Sequence, residues 1–217
     1  IVAHEVTNVG NDTAHLSNIA GQTKAALGVE KLEVIADRGY FDGEEILACD
    51  QADITVTLPK PQRSGAKSEG RFGKQDFVYL ADEDVYRCPA GEKLRYRFTA
   101  EEHGQKLRRY WTDACRTCPI KAHCTTGKER RITRWEHEEV VEAVQERLDK
   151  NPDAMRRRRE TVEHPFGTMK MRMGATHFLT KTLPKVATEM ALCVLTYNLT
   201  RVLNIVGIKP LMTAIQT

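Results

Sequence analysis

The chain has 217 residues and a formal net charge of +3, and 41% of its residues are hydrophobic, which is enough for a sizeable buried core. Charged residues make up 29% of it, and no apolar run approaches the roughly 20 residues that a membrane-spanning helix needs. The first ten residues contain no basic region and no cleavage site of a secretory signal. Composition therefore argues against a membrane or secreted protein, and in a reducing compartment the six cysteines favour metal binding over disulfides.

The N-terminal part is predicted to alternate strands and helices. Residues 1–6, "IVAHEV", have the pattern of a short strand, and because they include no initiator Met we expect the chain to be a fragment of a longer protein. Helical spacing of apolar residues follows as far as Gly28, which suits a helix C-cap. The apolar run "KLEVIAD" then predicts a buried strand that ends at Asp37.

A short helix and a further strand come next. Asp42 is expected to be the N-cap of the helix, and Glu45, three residues later, completes the sequence pattern of a capping box. The run "DITVTLPKP" predicts the next strand, which the two prolines stop. The order helix, strand, helix, strand indicates parallel strands in an α/β sheet.

The composition changes after residue 60. Residues 60–76 are rich in Gly, Ser and Lys, have almost nothing to bury, and are predicted to form a mobile connection. A hairpin is predicted over residues 77–91, and an amphipathic closing helix over residues 183–207. We therefore predict one α/β domain in two parts with a linker and a Cys-rich insertion between them, at residues 1–60, 61–131 and 132–217.

Asp37 directly follows an apolar strand, at the edge of the sheet where open α/β proteins bind ligands. A carboxylate that rigid backbone holds at this edge is suited to bind a divalent metal ion. The alternative is that Asp37 only opens the turn into Arg38 and Gly39, as Asp often does before stretches that contain glycine.

A second acidic candidate lies in "RRRRETVEHPFGTMK", which begins at Arg156. In one helix, at about 100° per residue, four side chains would fall within roughly 60° of one another: Arg156, Arg159, Glu163 and Lys170. Three cations around one acid suit phosphate contacts beside a metal-binding carboxylate better than a pattern of i, i+4 ion pairs.

Three further interpretations of this stretch remain open. Glu160 lies on a neighbouring face of the helix and is a second candidate acid. Pro165 removes one helical hydrogen bond, so a kink or a junction of two helices is expected beside Glu163. A solvated basic helix without any ligand is the third interpretation.

The stretches "ADRGYFDG", "RRRRETVEHPFGTMK" and "TEMALCVLTYNLTRVL" together resemble the DDE transposases of bacterial insertion sequences, in the branch with a cysteine-containing insertion between the second Asp and the Glu. The resemblance runs along essentially the whole chain. It implies the C-terminal part of an RNase H-like mixed sheet flanked by helices, and metal-dependent DNA cleavage and strand transfer at insertion-sequence ends. It further implies Mg²⁺ or Mn²⁺ as cofactor, transposon ends and target DNA as partners, a homodimer in the active complex, and a place in the bacterial cytoplasm beside the nucleoid.

The resemblance also assigns roles to individual residues. Asp37 matches the second catalytic Asp and Glu163 the catalytic Glu, which would bind the Mg²⁺ ions together. Arg159 and Lys170 fit the related signature Tyr-x2-Arg-x3-Glu-x6-Lys, in which Arg156 stands at the position of the Tyr. Contacts to DNA are expected from five basic residues: Arg38, Arg156, Arg159, Lys170 and Arg172.

The first catalytic Asp of that family is expected upstream of this sequence. In the RNase H-like order three strands precede the first helix and the first Asp lies on the first of them, whereas only one strand is predicted here. Asp12, in the turn before the helix, is interpreted as a cap for a helix that begins near Thr13. Because two metal ions need about three carboxylates, this chain alone is expected to be inactive.

Four cysteines cluster in the predicted insertion: Cys88, Cys115, Cys118 and Cys124. A C-x2-C pair supplies two thiolates from one tight turn, and two further cysteines would complete the tetrahedral site of a structural Zn²⁺. The insertion is poor in aliphatic residues, which favours a metal staple. His103 or His123 could replace one cysteine, and an iron–sulfur cluster or four unliganded thiols would also be consistent with this spacing.

Two functions of other classes also fit the sequence. One is a non-catalytic remnant that binds DNA through the cysteine module and the basic helix. The other is a stand-alone RNase H-like nuclease, which would hydrolyse DNA without joining its 3′ ends to a target.

Overall fold

The structure is a computed structural model that describes residues 1–61 and 65–216. The chain divides into two compact units, of which the first comprises residues 1–60 and 140–217 and the second comprises residues 61–139. Of the predicted mobile connection, residues 62–64 lie outside the described residues. The rest of it contains turns and a short 3₁₀ segment, and Ala66 is buried within it, so composition underestimated what this stretch can bury.

The first unit contains two parallel strands and the helices that accompany them. Strand β1 (Leu32–Ile35) pairs with β2 (Ile54–Thr57), with Leu32 opposite Ile54, so the predicted parallel arrangement is confirmed. The helices of this unit are α1 (Leu16–Leu27), α2 (Gly43–Gln51), most of α3 (Glu138–Lys150), α4 (Ala154–Arg172), α5 (Leu183–Val206) and α6 (Ile208–Ile215).

The burial pattern of β2 explains why this segment is a strand. Ile54 and Val56 are each 2% exposed, while Thr55 between them faces solvent, which is the two-residue period of a strand. The predicted end of α1 is also confirmed. Gly28 has φ +63° and its backbone N–H donates to the carbonyl of Ala25, a left-handed cap that favours glycine.

Asp42 is the N-cap of α2, as predicted. Its Oδ1 accepts hydrogen bonds from the backbone N–H groups of Glu44 at 2.9 Å and Glu45 at 3.3 Å. Among the described residues, no hydrogen bond forms the reciprocal half of the capping box. Glu45 Oε2 instead accepts from the backbone N–H and the hydroxyl of Ser17, at 2.8 and 2.7 Å. Glu45 therefore joins α2 to α1 rather than closing its own helix end.

The prediction of a strand over residues 1–6 is wrong, because the described residues before α1 contain no strand. A strand needs a second backbone to pair with, and Ile1 binds a side chain instead. The amino group of Ile1 donates to Asn198 Oδ1 at 2.6 Å, and Asn198 Nδ2 donates to the carbonyl of Ile1 at 2.7 Å. The N-terminal segment is thereby tied to α5.

Helix α4 continues from Ala154 to Arg172 although Pro165 lies inside it. Of the two alternatives expected beside Glu163, a kink or a junction of two helices, the junction is therefore excluded. The hydroxyl of Thr161, in the turn before the proline, donates to the carbonyl of Arg157 at 2.8 Å. Because the helix is continuous, the angular positions of its side chains can be compared along its whole length.

The apolar face of helix α5 is only partly buried by the other described residues. Val194 and Tyr197 are buried, as the predicted apolar face requires, whereas Leu199 and Val202 are 47% and 39% exposed. No single helix among the described residues is long and apolar enough to cross a membrane, and α5 and α6 meet that test only as a pair bent by 115°.

The second unit is built on a five-stranded antiparallel sheet whose strands follow one another in sequence order. The hairpin predicted over residues 77–91 is confirmed by the first two strands. Because the last strand pairs with the fourth, the unit extends past the predicted limit at residue 131. The strands are β3 (Val78–Leu80), β4 (Val85–Arg87), β5 (Lys93–Glu102), β6 (Gln105–Trp111) and β7 (Ile132–Trp135).

A small aromatic core and one acidic side chain hold this sheet together. Tyr86 and Tyr110 are buried with their ring centroids 5.2 Å apart, in an edge-to-face arrangement. Asp84 closes the turn between β3 and β4 in the left-handed region, at φ +50°. Its Oδ1 accepts from the hydroxyls of Tyr79 at 2.8 Å and Tyr110 at 2.7 Å, and Arg108 forms an ion pair with Oδ2.

Candidate active site

Asp37 lies directly beyond the paired part of β1. The last ladder contact is made by Ala36, which is buried and whose N–H donates to the carbonyl of Thr57 at 3.0 Å. Asp37 then starts a 3₁₀ turn, and its Oδ1 accepts from the N–H of Gly39 at 2.8 Å. The structure thus places this carboxylate at the carboxyl end of a parallel strand, held by its own backbone.

The second oxygen of Asp37 is bound by a residue that the sequence analysis did not select. Arg158 Nη2 donates to Asp37 Oδ2 at 2.8 Å, and the two side chains are 21% and 42% exposed. Arg158 belongs to the buried face of α4, because Ala154 and Met169 lie within about 40° of it around the helix and both are buried. A helical wheel centred on the buried residues, rather than on Glu163, would have identified it.

Asp12 is a second acidic residue beside Asp37. A Cβ placed on Gly39 would lie 3.0 Å from Asp37 Oδ1 and 3.8 Å from Asp12 Oδ2, so the two carboxylates are no farther apart than those distances together. Burial raises the pKa of the Tyr40 phenol, and the charges of Asp12 and Asp37 raise it further, against the opposing effect of Arg158. These four side chains therefore share one electrostatic environment.

The interpretation of Asp12 as a helix cap is wrong. Helix α1 begins at Leu16 with His15 as its N-cap, and this cap has no side-chain hydrogen bond. It is Asn11 Oδ1 that accepts from the N–H of Thr13, at 3.2 Å. Within residues 1–61 and 65–216 the Asp12 carboxylate forms no hydrogen bond or ion pair, and only its carbonyl is bound, by the N–H of His15 at 3.3 Å.

Glu163 lies on an exposed face of α4. Its side chain is 71% exposed and pairs with Arg159, whose Nε lies 3.9 Å from Glu163 Oε1. Glu163 follows Arg158 by five residues, which corresponds to about 140° around the helix. Asp37 and Glu163 therefore have different partners on α4, and no described residue forms a hydrogen bond or ion pair with both carboxylates.

The predicted basic face of α4 is formed, since the helix is continuous and Arg156, Arg159 and Lys170 are exposed along it. Two of these cations have acidic neighbours, because Arg156 also pairs with Asp153 at 3.2 Å. Exposed ion pairs of this kind contribute about 0–1 kcal/mol, so phosphate oxygens can replace the carboxylates as partners of these arginines at little cost. Three further predicted residues are exposed as well: Glu160, Arg38 and Arg172.

The Arg158→Ala variant of this chain is expected to bind Mn²⁺ more tightly, because a cation must displace Arg158 to reach Asp37 Oδ2. An ion pair of this exposure is worth up to about 1 kcal/mol, which corresponds to roughly a fivefold lower Kd. Titration followed by the paramagnetic resonance of free Mn²⁺ measures the change. Arg157→Ala, which removes an exposed neighbouring cation, is the control, and equal affinity in both variants would contradict the expectation.

The four clustered cysteines line one pocket of the second unit. Cys124 is 9% exposed, and the other three are half-buried. Burial raises the pKa of the Cys124 thiol, Arg130 lowers it, and Cys115, Cys88 and Cys118 raise it again, so the four sulfurs interact electrostatically.

Neither histidine proposed as a substitute ligand lines this pocket. His103 lies in the two-residue turn between β5 and β6, seven residues along the strand from Tyr110 on β6 and therefore roughly 20 Å away. His123 is exposed, and its carbonyl accepts from the N–H of Phe72 at 2.8 Å. The cysteines are thus the candidate ligands at this place.

Within residues 1–61 and 65–216, no three His, Cys, Asp or Glu side chains stand in an arrangement that could hold a metal ion. This applies both to the carboxylates near Asp37 and to the cysteine pocket. At either place, metal binding requires side chains to move closer together.

A family model described as "Transposase DDE domain" matches residues 87–203, which is more than half of the chain. The chain therefore belongs to the family of transposase DDE domains. Its mixed α/β architecture is compatible with an RNase H-like DDE domain, as predicted. No curated protein and no solved structure matches the chain. The matched stretch includes Glu163 and all four clustered cysteines but not Asp37.

Proposed function

We propose that this chain is the catalytic portion of a DDE transposase, which cuts DNA at the ends of an insertion sequence and joins those ends to a target. The observation that carries the proposal is the position of Asp37, at the carboxyl end of β1 and bonded to α4, the helix on which Glu163 lies. Membership in the family of transposase DDE domains supports DNA cleavage and transposition in general. The roles of single residues rest on the resemblance and on this geometry.

Asp37 and Glu163 are the residues that would bind Mg²⁺ or Mn²⁺. Carboxylate oxygens are the ligands that these hard cations prefer, so the donor set fits the ions. Bound there, two such ions would activate a water or a 3′-hydroxyl and stabilise the leaving oxygen. Asp37 must exchange Arg158 for the cation, and α4 must rotate or shift so that Glu163 reaches the same place.

Five exposed cations, one next to Asp37 in the sequence and four on α4, would hold the DNA backbone: Arg38, Arg156, Arg159, Lys170 and Arg172. Arginine binds phosphate oxygens in a bidentate manner, which positions the backbone as well as attracting it. Their contacts would be independent of base sequence and would weaken as salt rises. They supply the substrate-positioning part of the reaction.

This chain offers two of the three carboxylates that the family is expected to use, so it is expected to be inactive by itself. In the active complex we propose a homodimer that acts on DNA in the cytoplasm, beside the nucleoid. The Zn²⁺ expected at the four cysteines is a separate proposal, because that ion would lie in the second unit and take no part in the chemistry.

An assay of the full-length protein tests the proposal. With labelled insertion-sequence ends and target DNA, we expect cleavage and joined products in Mg²⁺ or Mn²⁺, and neither in chelator. DNA binding without metal-dependent cleavage would overturn the proposal in favour of a non-catalytic DNA-binding remnant. Hydrolysis of DNA without joined products would overturn it in favour of a nuclease.

A further inference from the structure

We propose that the second unit holds one structural Zn²⁺ ion between two short loops, with Arg130 as a charged neighbour of the thiolates. The four ligands would be Cys88, Cys115, Cys118 and Cys124. They come from separate parts of the chain and yet line one pocket, beside apolar residues such as Phe77 and Leu94. This site is independent of the proposed DNA chemistry.

A tight turn follows two of the cysteines, Cys88 and Cys118. The turn after Cys88 is closed by the N–H of Gly91, which donates to the carbonyl of Cys88 at 2.9 Å, and Gly91 has φ +86°. Cys118 accepts from the N–H of Lys121 at 3.2 Å through its carbonyl. Both turns leave the thiols free to face the pocket, and a C-x2-C pair in a tight turn supplies two ligands at once.

Arg130 is the independent observation that points to a charged ligand set. It lines the same pocket, its guanidinium lies 5.5 Å from the centre of the Phe77 ring, and its Nε is buried without a hydrogen-bond partner among the described residues. A buried donor without an acceptor destabilises a fold. Four thiolates on one Zn²⁺ carry a net charge of −2, so Arg130 would gain an acceptor and a countercharge together.

No three of these thiols stand in an arrangement that could hold a metal ion, so binding must draw the loops together. Cys124 is the fixed point, because it belongs to the apolar core with Tyr86 and Ile132. Cys88 only packs against that core, and Cys115 lies in a four-residue 3₁₀ turn. Short irregular loops of this kind can adapt to a tetrahedral ion more easily than the strands beneath them.

The size of the second unit gives a reason for a metal ion. Its core consists of few side chains beyond three aromatic rings, and units of this size often need a staple. Metal binding to folded loops adds directly to folding free energy, since the unfolded chain has no preformed site. We therefore expect the ion to stabilise the second unit in particular.

The test measures metal content rather than activity. A negative result would therefore refute the Zn²⁺ site without bearing on the proposed DNA chemistry. The full chain, purified without chelator, is expected to contain about one Zn²⁺ by elemental analysis. After exchange for Co²⁺ it should show thiolate charge-transfer bands and the strong visible absorption of a tetrahedral site. Cys118→Ser is expected to lose the metal, whereas Cys193→Ser, a half-buried cysteine of the first unit, keeps it.

Two further measurements test the proposal even if Cys118→Ser fails to fold. Removing Zn²⁺ from the unaltered chain with a chelator should lower the melting temperature, and Zn²⁺ should restore it. Arg130→Ala should still bind one ion but release it to chelator about tenfold more readily, the usual effect of losing an outer partner. A folded chain without Zn²⁺ or Co²⁺ binding would overturn the proposal, as would bound iron and sulfide or a disulfide between two of the cysteines.

Discussion

Asp37→Asn and Glu163→Gln are each expected to lower strand transfer by the intact transposase by roughly 1,000-fold. Each change removes one negative ligand from the proposed metal ions while keeping the size of the side chain. A loss of about 4 kcal/mol of transition-state stabilisation corresponds to that factor. DNA binding should persist, because the five basic residues that would hold phosphates are unchanged. Quantified joined products and a gel-shift assay in the same buffer measure both effects.

Two acidic neighbours serve as controls for this result. Glu160→Gln changes an exposed acid on another face of α4 and is expected to have little effect. Asp12→Asn changes the carboxylate beside Asp37 and is expected to lower strand transfer much less than Asp37→Asn. An equal loss in Asp12→Asn would show that this chain contains the third carboxylate. Full activity in Asp37→Asn or Glu163→Gln would contradict the assignment of the acids.

Asp84→Asn is expected to lower the free energy of unfolding of the second unit by about 1–2 kcal/mol at neutral pH, because it weakens three hydrogen bonds to one half-buried carboxylate whose charge solvent partly screens. Tyr79, Tyr110 and Arg108 are the donors that lose their ionised acceptor. Both tryptophans of the chain, Trp111 and Trp135, lie in this unit. Tryptophan fluorescence in a denaturant titration therefore reports on the second unit alone.

The pH dependence of this effect has a definite sign. Burial alone would raise the pKa of Asp84, but the hydrogen bonds from Tyr110 and Tyr79 and the charge of Arg108 outweigh it, so its pKa lies below the ordinary 3.8. The stabilisation is therefore complete above pH 3.8 and is lost as the pH falls through the lower, folded-state pKa. The difference between the native chain and Asp84→Asn should vanish below that pH. Asp82→Asn, an exposed acid in the same turn, should match the native chain throughout.

The helix ends of the first unit could be predicted from the sequence, because they depend on residues that are neighbours along the chain. Asp42 caps α2 through N–H groups two and three residues away, and Gly28 ends α1 through its own backbone conformation. Glu45 could not be predicted in the same way, since its partner is Ser17, 28 residues earlier. The failed strand at residues 1–6 has the same cause, because pairing depends on a partner that the local pattern does not contain.

In the candidate site, too, the local features could be predicted from the sequence and the contacts between distant residues could not. The positions of Asp37 after β1 and of the basic face on α4 follow from strand and helix periods. The contact between Arg158 and Asp37 depends on which side of α4 is buried, and a helical wheel centred on Glu163 selects Arg156 and Arg159 instead of Arg158. The grouping of four cysteines around one pocket was predictable from their spacing. The burial of Arg130 Nε without a partner among the described residues was not, because it depends on three-dimensional packing.

The second unit interrupts the first between residues 60 and 140, so the order in which the two units form affects how fast the first unit assembles. Bringing together the ends of a flexible loop of roughly 80 residues costs about 4 kcal/mol of entropy. An insertion that has already folded presents its ends at a nearly fixed separation and removes most of that penalty. Early folding of the sheet would therefore promote the docking of α4 onto β1, and any ion that speeds the folding of the sheet would hasten assembly of carboxylates that it never contacts.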